Sequence, residues 1–360
     1  MRTPNRDFRS DNTSGFAAPI LAALTAANDG PRTPYGVDEQ TERVQRKLCE
    51  LFETDLRAVL VATGTAANSL GLSLLCPPWG VIYCHEEAHI AIDECAAPQF
   101  YTGGAQLQLL PGEHGRISAA QLSALLPGGR GVVHHAQPAV VSLSQATEAG
   151  TCYRPEQIAE ISAVAHAHGL RMHMDGARFA NAVAFLGCSP AELSWRAGVD
   201  ILSFGASKNG ALAAEAVLLF DPALAQEAGY RRKRAGHLFS KMRVLSAQWD
   251  AYLADGLWLQ LATHANRMAQ RLAQGLARLP GIELCHPVEA NEVFVSLPEA
   301  VIEALIGQGF QFYRWLDERS RQIRLVASFD ISESDVDALI QAAGQACGAW
   351  RPTSSSSASP

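Results

Sequence analysis

Between residues 58 and 220 the chain repeats one pattern: a short apolar run, then a longer stretch whose apolar residues recur every three or four positions. The runs at 58–62, 81–84, 106–110, 131–134, 140–143, 171–174, 201–204 and 216–220 predict strands. The stretches at 118–126 and 155–168 predict helices, the second with Ile158, Ile161 and Val164 on one face and Pro155 in its first turn. Such alternation predicts an α/β fold, a mostly parallel sheet sandwiched by helices. After Ser246 the pattern changes. Leu257, Leu261, Met268, Leu272 and Leu279 fall at near-helical steps, and Pro280-Gly281 stops that helix. Runs at 293–297, 311–315 and 323–328, with helices near 300–306 and from 335, then predict a smaller C-terminal α+β lobe. The expected organisation is an N-terminal segment (1–40), a large α/β domain (41–250), a small α+β domain (251–350) and a disordered Ser-rich tail (351–360).

Length and composition fit that picture. A chain of 360 residues, 48% apolar and 18% charged, is an ordinary globular protein long enough for two lobes. A net charge of −7 argues against nucleic acid as the main partner, although Arg231, Arg232, Lys233 and Arg234 form a local basic cluster able to hold a phosphate. No apolar run reaches the ~18 residues of a membrane span, and residues 1–11 lack the apolar core of a secretory signal, so a cytoplasmic protein is expected. The eight cysteines contain no CxxC pair and read as reduced core thiols; no metal is expected.

Two strand ends carry the candidate chemistry. Met-His-Met-Asp-Gly-Ala-Arg (172 to 178) ends a strand on Asp175, and Asp-Ile-Leu-Ser-Phe-Gly-Ala-Ser-Lys-Asn (200 to 209) ends the next on Lys208. Small residues, Gly205, Ala206, Ser207 and Gly210, flank the lysine and leave its amine accessible. A strand-end Lys and Asp of opposite sign suit pyridoxal 5'-phosphate: the amine forms the Schiff base, and the acid keeps the pyridine nitrogen protonated. Ala62-Thr63-Gly64-Thr65-Ala66-Ala67-Asn68 follows a strand and opens a helix, so the amides of Gly64 and Thr65 suit the cofactor phosphate.

His85-Glu86-Glu87-Ala88-His89 matches the HExxH pattern of zinc hydrolases and carries the rival reading. That chemistry needs both imidazoles on one face of a helix, whereas the run at 81–84 leads into His85 as a strand does. The other use is a His lying flat on the cofactor ring, with Glu94 near the same crevice.

Taken together these residues resemble the low-specificity L-threonine aldolases, a pyridoxal phosphate family with the fold type I architecture of aspartate aminotransferase. The resemblance runs through Arg9-Ser10-Asp11-Asn12, Thr33-Pro34-Tyr35-Gly36, the Thr63 to Asn68 turn, Ala88-His89 with Asp93-Glu94, His134, Asp175-Gly176-Ala177-Arg178, Lys208-Asn209 and Ile323-Arg324-Leu325-Val326, and omits only the tail. It implies that Lys208 attaches the cofactor, that Asp175 pairs with the ring nitrogen and that His89 stacks on the ring. It implies further that Ser10, Arg178 and Arg324 grip the substrate carboxylate, that His134 lies near the substrate hydroxyl, and that Tyr35 enters from a neighbouring subunit. Arg234 matches a basic position that reaches a neighbour's phosphate. The implied assembly is a homodimer or homotetramer with shared sites. Where other branches carry a His after the strand ending at Leu143, this chain has Gln145-Ala146-Thr147-Glu148, which shifts weight to His134 and leaves the base open among His134, His89 and a water they hold.

The implied reaction is retro-aldol cleavage of L-threonine, L-allo-threonine and related L-β-hydroxy-α-amino acids to glycine and an aldehyde. A β-eliminating lyase, a racemase or an aminotransferase would share the Lys, the Asp and the phosphate turn, and a zinc hydrolase or a non-catalytic binding protein belongs to a different class.

Overall fold

The computed structural model describes residues 5–126, 128, 130–315, 317 and 319–349, so the tail expected at 351–360 lies outside the described residues. The larger of its two sheets has seven strands: β1 (Arg57–Val61), β2 (Gly80–His85), β3 (Gln106–Leu110), β4 (Gln137–Ser144), β5 (Arg171–Gly176), β6 (Ile201–Gly205) and β7 (Glu215–Leu219). Their order is β1-β7-β6-β5-β4-β2-β3, and only β7 runs against its neighbours. Every residue of β2, β6 and β7 is buried. That is why these strands read as unbroken apolar runs.

The two-residue repeat of a strand divides the side chains between two layers. Leu60, Leu202, Phe204 and Leu218 point into the main core with Phe52, Phe179 and Trp249. Val59, Val61, Ile201, Val217 and Leu219 point the other way, onto Ala66, Ala67 and Leu70 of the Gly64–Leu75 helix. Phe204 is the hub, with ring centroids 5.6 Å from Phe179 and 5.1 Å from Trp249. Burying each such ring is worth about 1.5–3 kcal/mol.

The strand expected at 131–134 does not form. Gly131 takes φ +75°, Val133 is 92% exposed, and the Gln137 side chain ties the segment into a turn through Gly131 N, Val132 O and His135 O. Two adjacent valines imitate a strand, but no strand among the described residues pairs with them.

The smaller sheet comprises β8 (Glu283–Leu284), β9 (Glu292–Ser296), β10 (Tyr313–Arg314) and β11 (Gln322–Val326), ordered β10-β11-β9-β8 and antiparallel throughout. The N-terminal segment joins this lobe: Phe8 lies in its core, bonded to Gln311 O and Val326 N. The Leu257–Leu276 helix serves both cores, with Trp258 and Ala262 in the larger and Met268, Leu272 and Leu276 in the smaller. It stops before Leu279, shorter than its apolar spacing predicts.

Candidate active site

Because β1, β5 and β6 run in the same direction, their C-terminal ends share one edge of the sheet, the place where open α/β sheets bind ligands. A cavity of about 360 Å³ lies there. Its lining includes Gly64 and Thr65 after β1, Asp175 near the end of β5 and Lys208 just beyond β6, together with His89. Five of the residues singled out in the sequence therefore meet in one place.

Each is held by local structure. Thr63 caps the Gly64–Leu75 helix, its side chain accepting from Ala66 N at 3.2 Å. The cap leaves the Gly64 and Thr65 amides without intrahelical acceptors, and a Cβ added at Gly64 would meet nothing within 4 Å. Asp175 is 6% exposed; its Oδ1 accepts Ala177 N at 3.0 Å and its Oδ2 accepts Asn68 Nδ2 at 2.8 Å. Asn68 Nδ2 also donates to Glu94 Oε1 at 2.8 Å, and the same oxygen pairs with His89 Nδ1 at 2.8 Å. One amide thus joins both carboxylates, and Glu94 orients the imidazole. The Glu94 hydrogen bond raises the His89 pKa against the opposing effect of burial. Below Asp175, His173 sits between Ser142 Oγ and Ser203 Oγ, and burial lowers its pKa to about 4, so it is a neutral part of the core.

Lys208 lies in a short turn of 3-10 helix, Ser207–Asn209. Asn209 anchors that turn by donating to Tyr252 Oη and Trp258 O. Among the described residues the Lys208 ammonium makes no hydrogen bond or ion pair. An amine presented on an anchored turn, with no protein partner, is arranged for a ligand.

Beside the cavity, at the junction of the two lobes, lies a buried charged cluster. Arg178 Nε donates to Asp11 Oδ2 at 2.8 Å, and its Nη2 lies 3.2 Å from Glu292 Oε1. Burial opposes the guanidinium charge, and Asp11 and Glu292 outweigh it. Arg324 Nη1 stands 3.8 Å from the same Glu292 oxygen, its Nη2 donates to Arg9 O, and its guanidinium lies 4.9 Å from the Trp315 ring centroid. Among the described residues Glu292 has no hydrogen bond to either oxygen, and burial raises its pKa. Ser10 stands on the same segment, its Oγ accepting Asn12 N, and Asn12 lines the cavity. Ser10, Arg178 and Arg324 are thus gathered next to the cavity, but Arg178 has two of its three nitrogens committed to protein carboxylates.

Three expected residues lie elsewhere. His134 is exposed in the turn before β4, at the opposite end of that strand from the cavity, so the structure does not bring it to the site of its own chain. Tyr35 is 46% exposed with Lys233 over its ring, and Arg234 is exposed at the end of the Ala225–Arg234 helix; neither lines the cavity.

The HExxH residues do not form a zinc-hydrolase helix. His85 ends β2, with Nδ1 accepting Glu87 N and Nε2 bonded to Gly112 O, while His89 begins the next helix and turns to Glu94. Both nitrogens of His85 are occupied and the two imidazoles do not converge.

The donor set fits pyridoxal 5'-phosphate on this structure's own terms. Free helix-start amides suit the phosphate, an unpartnered amine suits the aldehyde carbon, and a buried, amide-held acid suits the ring nitrogen. Asn68, Glu94, Glu148 and Glu215 are also in the lining, and of these the sequence points only to Glu94 as lying near the crevice. Asn68 alone left a signal: it lies four residues beyond Gly64, on the same helical face.

Comparison with known proteins agrees. The chain matches the family described as Beta-eliminating lyase over residues 7–300. It is 47% identical to the low specificity L-threonine aldolase of Pseudomonas aeruginosa over 330 residues, 92% of this chain and 94% of that one. It is 45% identical over 336 residues to the enzyme of that name from a Pseudomonas species, covering 93% and 96%. Among solved structures, the threonine aldolase of Leishmania major superposes with a TM-score of 0.89 at 27% identity, covering 95% of this chain and all of that one. With its fold type I architecture, the chain belongs to the Beta-eliminating lyase family and, within it, to the low-specificity L-threonine aldolases.

Proposed function

We propose that this protein binds pyridoxal 5'-phosphate in the cavity and cleaves L-threonine, L-allo-threonine and related L-β-hydroxy-α-amino acids to glycine and an aldehyde. The observation that carries this reading is the unpartnered Lys208 amine sharing a small cavity with the amide-held Asp175. When bound, the cofactor supplies the electron sink for the pair released as the Cα–Cβ bond breaks.

The residues supply the rest. Lys208 Nζ would be the group that attaches the cofactor. Asp175 holds a proton at the ring nitrogen, its own geometry locked by Asn68 and Ala177. His89 would lie against the bound ring; its Nδ1 is committed to Glu94, and its Nε2 would accept the proton of the substrate hydroxyl. Arg324, the remaining Arg178 nitrogen and Ser10 would hold the carboxylate, and so orient the substrate about its Cα. Glu148 lines both the cavity and a larger open recess bordered by Ile92, Tyr313 and Trp315, a mouth that puts little limit on the β-substituent.

His134, Tyr35 and Arg234 lie on the surface of the chain, so any part they have in the reaction is played in the cavity of a neighbouring chain. A homodimer or homotetramer with shared sites meets that requirement. Among the described residues no helix is long and apolar enough to cross a membrane, and we take the enzyme to be cytoplasmic.

Reconstitution tests the cofactor site. Protein supplied with pyridoxal 5'-phosphate should acquire a visible absorbance band that survives dialysis and is bleached by borohydride. A protein that surrenders all of the cofactor to the dialysate would not fit the reading.

A further inference from the structure

Glu215, the first residue of β7, lines the cavity and has no part in the reaction as described above. Sheet pairing sets it opposite Gly205, the last residue of β6, and opposite Val61 at the end of β1. Its Oε1 accepts the Ser207 amide at 3.3 Å. A Cβ added at Gly205 would come within 2.9 Å of its Oε2, so the glycine leaves the space that the carboxyl fills. Glu215 is therefore packed against the residues that lead directly into Lys208, and it is only 5% exposed. The titratable groups around it are Lys208 from the turn after β6, Asp175 from β5 and Tyr252 from the Arg243–Tyr252 helix. Of these, only Lys208 is a cation. An acid this deeply buried is costly without a counter-charge.

We propose that Glu215 governs the protonation of the Lys208 amine, as a positioning residue that acts through the lysine. This rests on the reading of Lys208 as the reacting amine. An ionised Glu215 favours the ammonium form, and a neutral Glu215 favours the free amine, whose lone pair makes the attack. Burial lifts the Glu215 pKa to about 7, so both forms are populated near neutral pH.

Glu215→Gln separates this role from a structural one, because the amide oxygen still accepts the Ser207 N–H while the charge is gone. The measurement is made on cofactor-free protein between about pH 8 and 10, where Glu215 is ionised and lysine begins to titrate. Acylation of Lys208 is followed by peptide mass spectrometry. In the Gln variant Lys208 should react about tenfold faster at a given pH, with its midpoint about one pH unit lower, as expected when an opposite charge is removed from nearby. Rates and midpoint equal to wild type would overturn the proposal and leave Glu215 as a brace for the turn. If the Gln variant does not fold, the reciprocal effect is read in Lys208→Ala. There the Glu215 carboxyl stretch, followed by infrared spectroscopy, should persist to higher pH than in wild type, and an unchanged titration would overturn the proposal equally. Failure of the underlying reading would look different: pyridoxal 5'-phosphate would not protect Lys208 from acylation.

Discussion

Lys208→Ala should abolish turnover and the visible absorbance of the bound cofactor while leaving thermal stability close to that of wild type. Removing the group that makes a covalent link costs on the order of 10⁴-fold or more in rate. Stability should move by no more than about 1 kcal/mol, because the ammonium makes no hydrogen bond or ion pair among the described residues, Glu215 can take up a proton once that cation is gone, and the turn is anchored by its neighbour Asn209. Absorbance, turnover and calorimetry on one preparation check all three. A variant that keeps a borohydride-bleachable band would place the attachment on another lysine.

Arg178→Leu and Arg324→Leu should fail in different ways, although the sequence presents the two arginines as equal halves of one clamp. Arg178 is enclosed between Asp11 and Glu292, whose side chains are 1% and 0% exposed. Its loss strands two buried acids, at a cost of about 3–5 kcal/mol, enough to lower Tm by roughly 5 °C in a chain of this length. Arg324 is less committed: one nitrogen lies 3.8 Å from Glu292 and the plane rests on Trp315. Its loss should spare the fold and weaken binding of the amino acid carboxylate by about 2–3 kcal/mol, roughly 30–150-fold. Calorimetry and titration with glycine distinguish the cases. Normal melting of Arg178→Leu with equal loss of glycine binding in both variants would make Arg178 a contact and not an anchor.

What the sequence makes legible follows from where its signals are local. β2, β6 and β7 stand out because burial on both faces turns them into near-continuous apolar runs, and Gly64, Thr65, Asp175 and Lys208 stand out because each closes or follows an apolar strand. The failures are failures of partnership. Val132 and Val133 have the composition of a strand but, among the described residues, no strand beside them. His134 resembles its family position in sequence, yet the eight residues of β4 carry the cavity away from it. Glu215 and Glu292 open strands that otherwise read as apolar, and nothing near them in the chain announces Lys208, or Arg178 and Arg324, as their counter-charges. Asn68 has only its helical spacing, and its bridging role appears once Glu94 and Asp175 are brought to either side of it.

The most direct test of retro-aldol chemistry is the product balance when the cofactor-loaded enzyme consumes L-allo-threonine. Glycine and acetaldehyde should appear in equal amounts, one of each for every substrate molecule lost, with no ammonia released. Ammonia accompanied by a keto acid, or an inverted amino acid without aldehyde, would contradict cleavage of the Cα–Cβ bond and assign the site to one of the other reactions that the same lysine and aspartate can support.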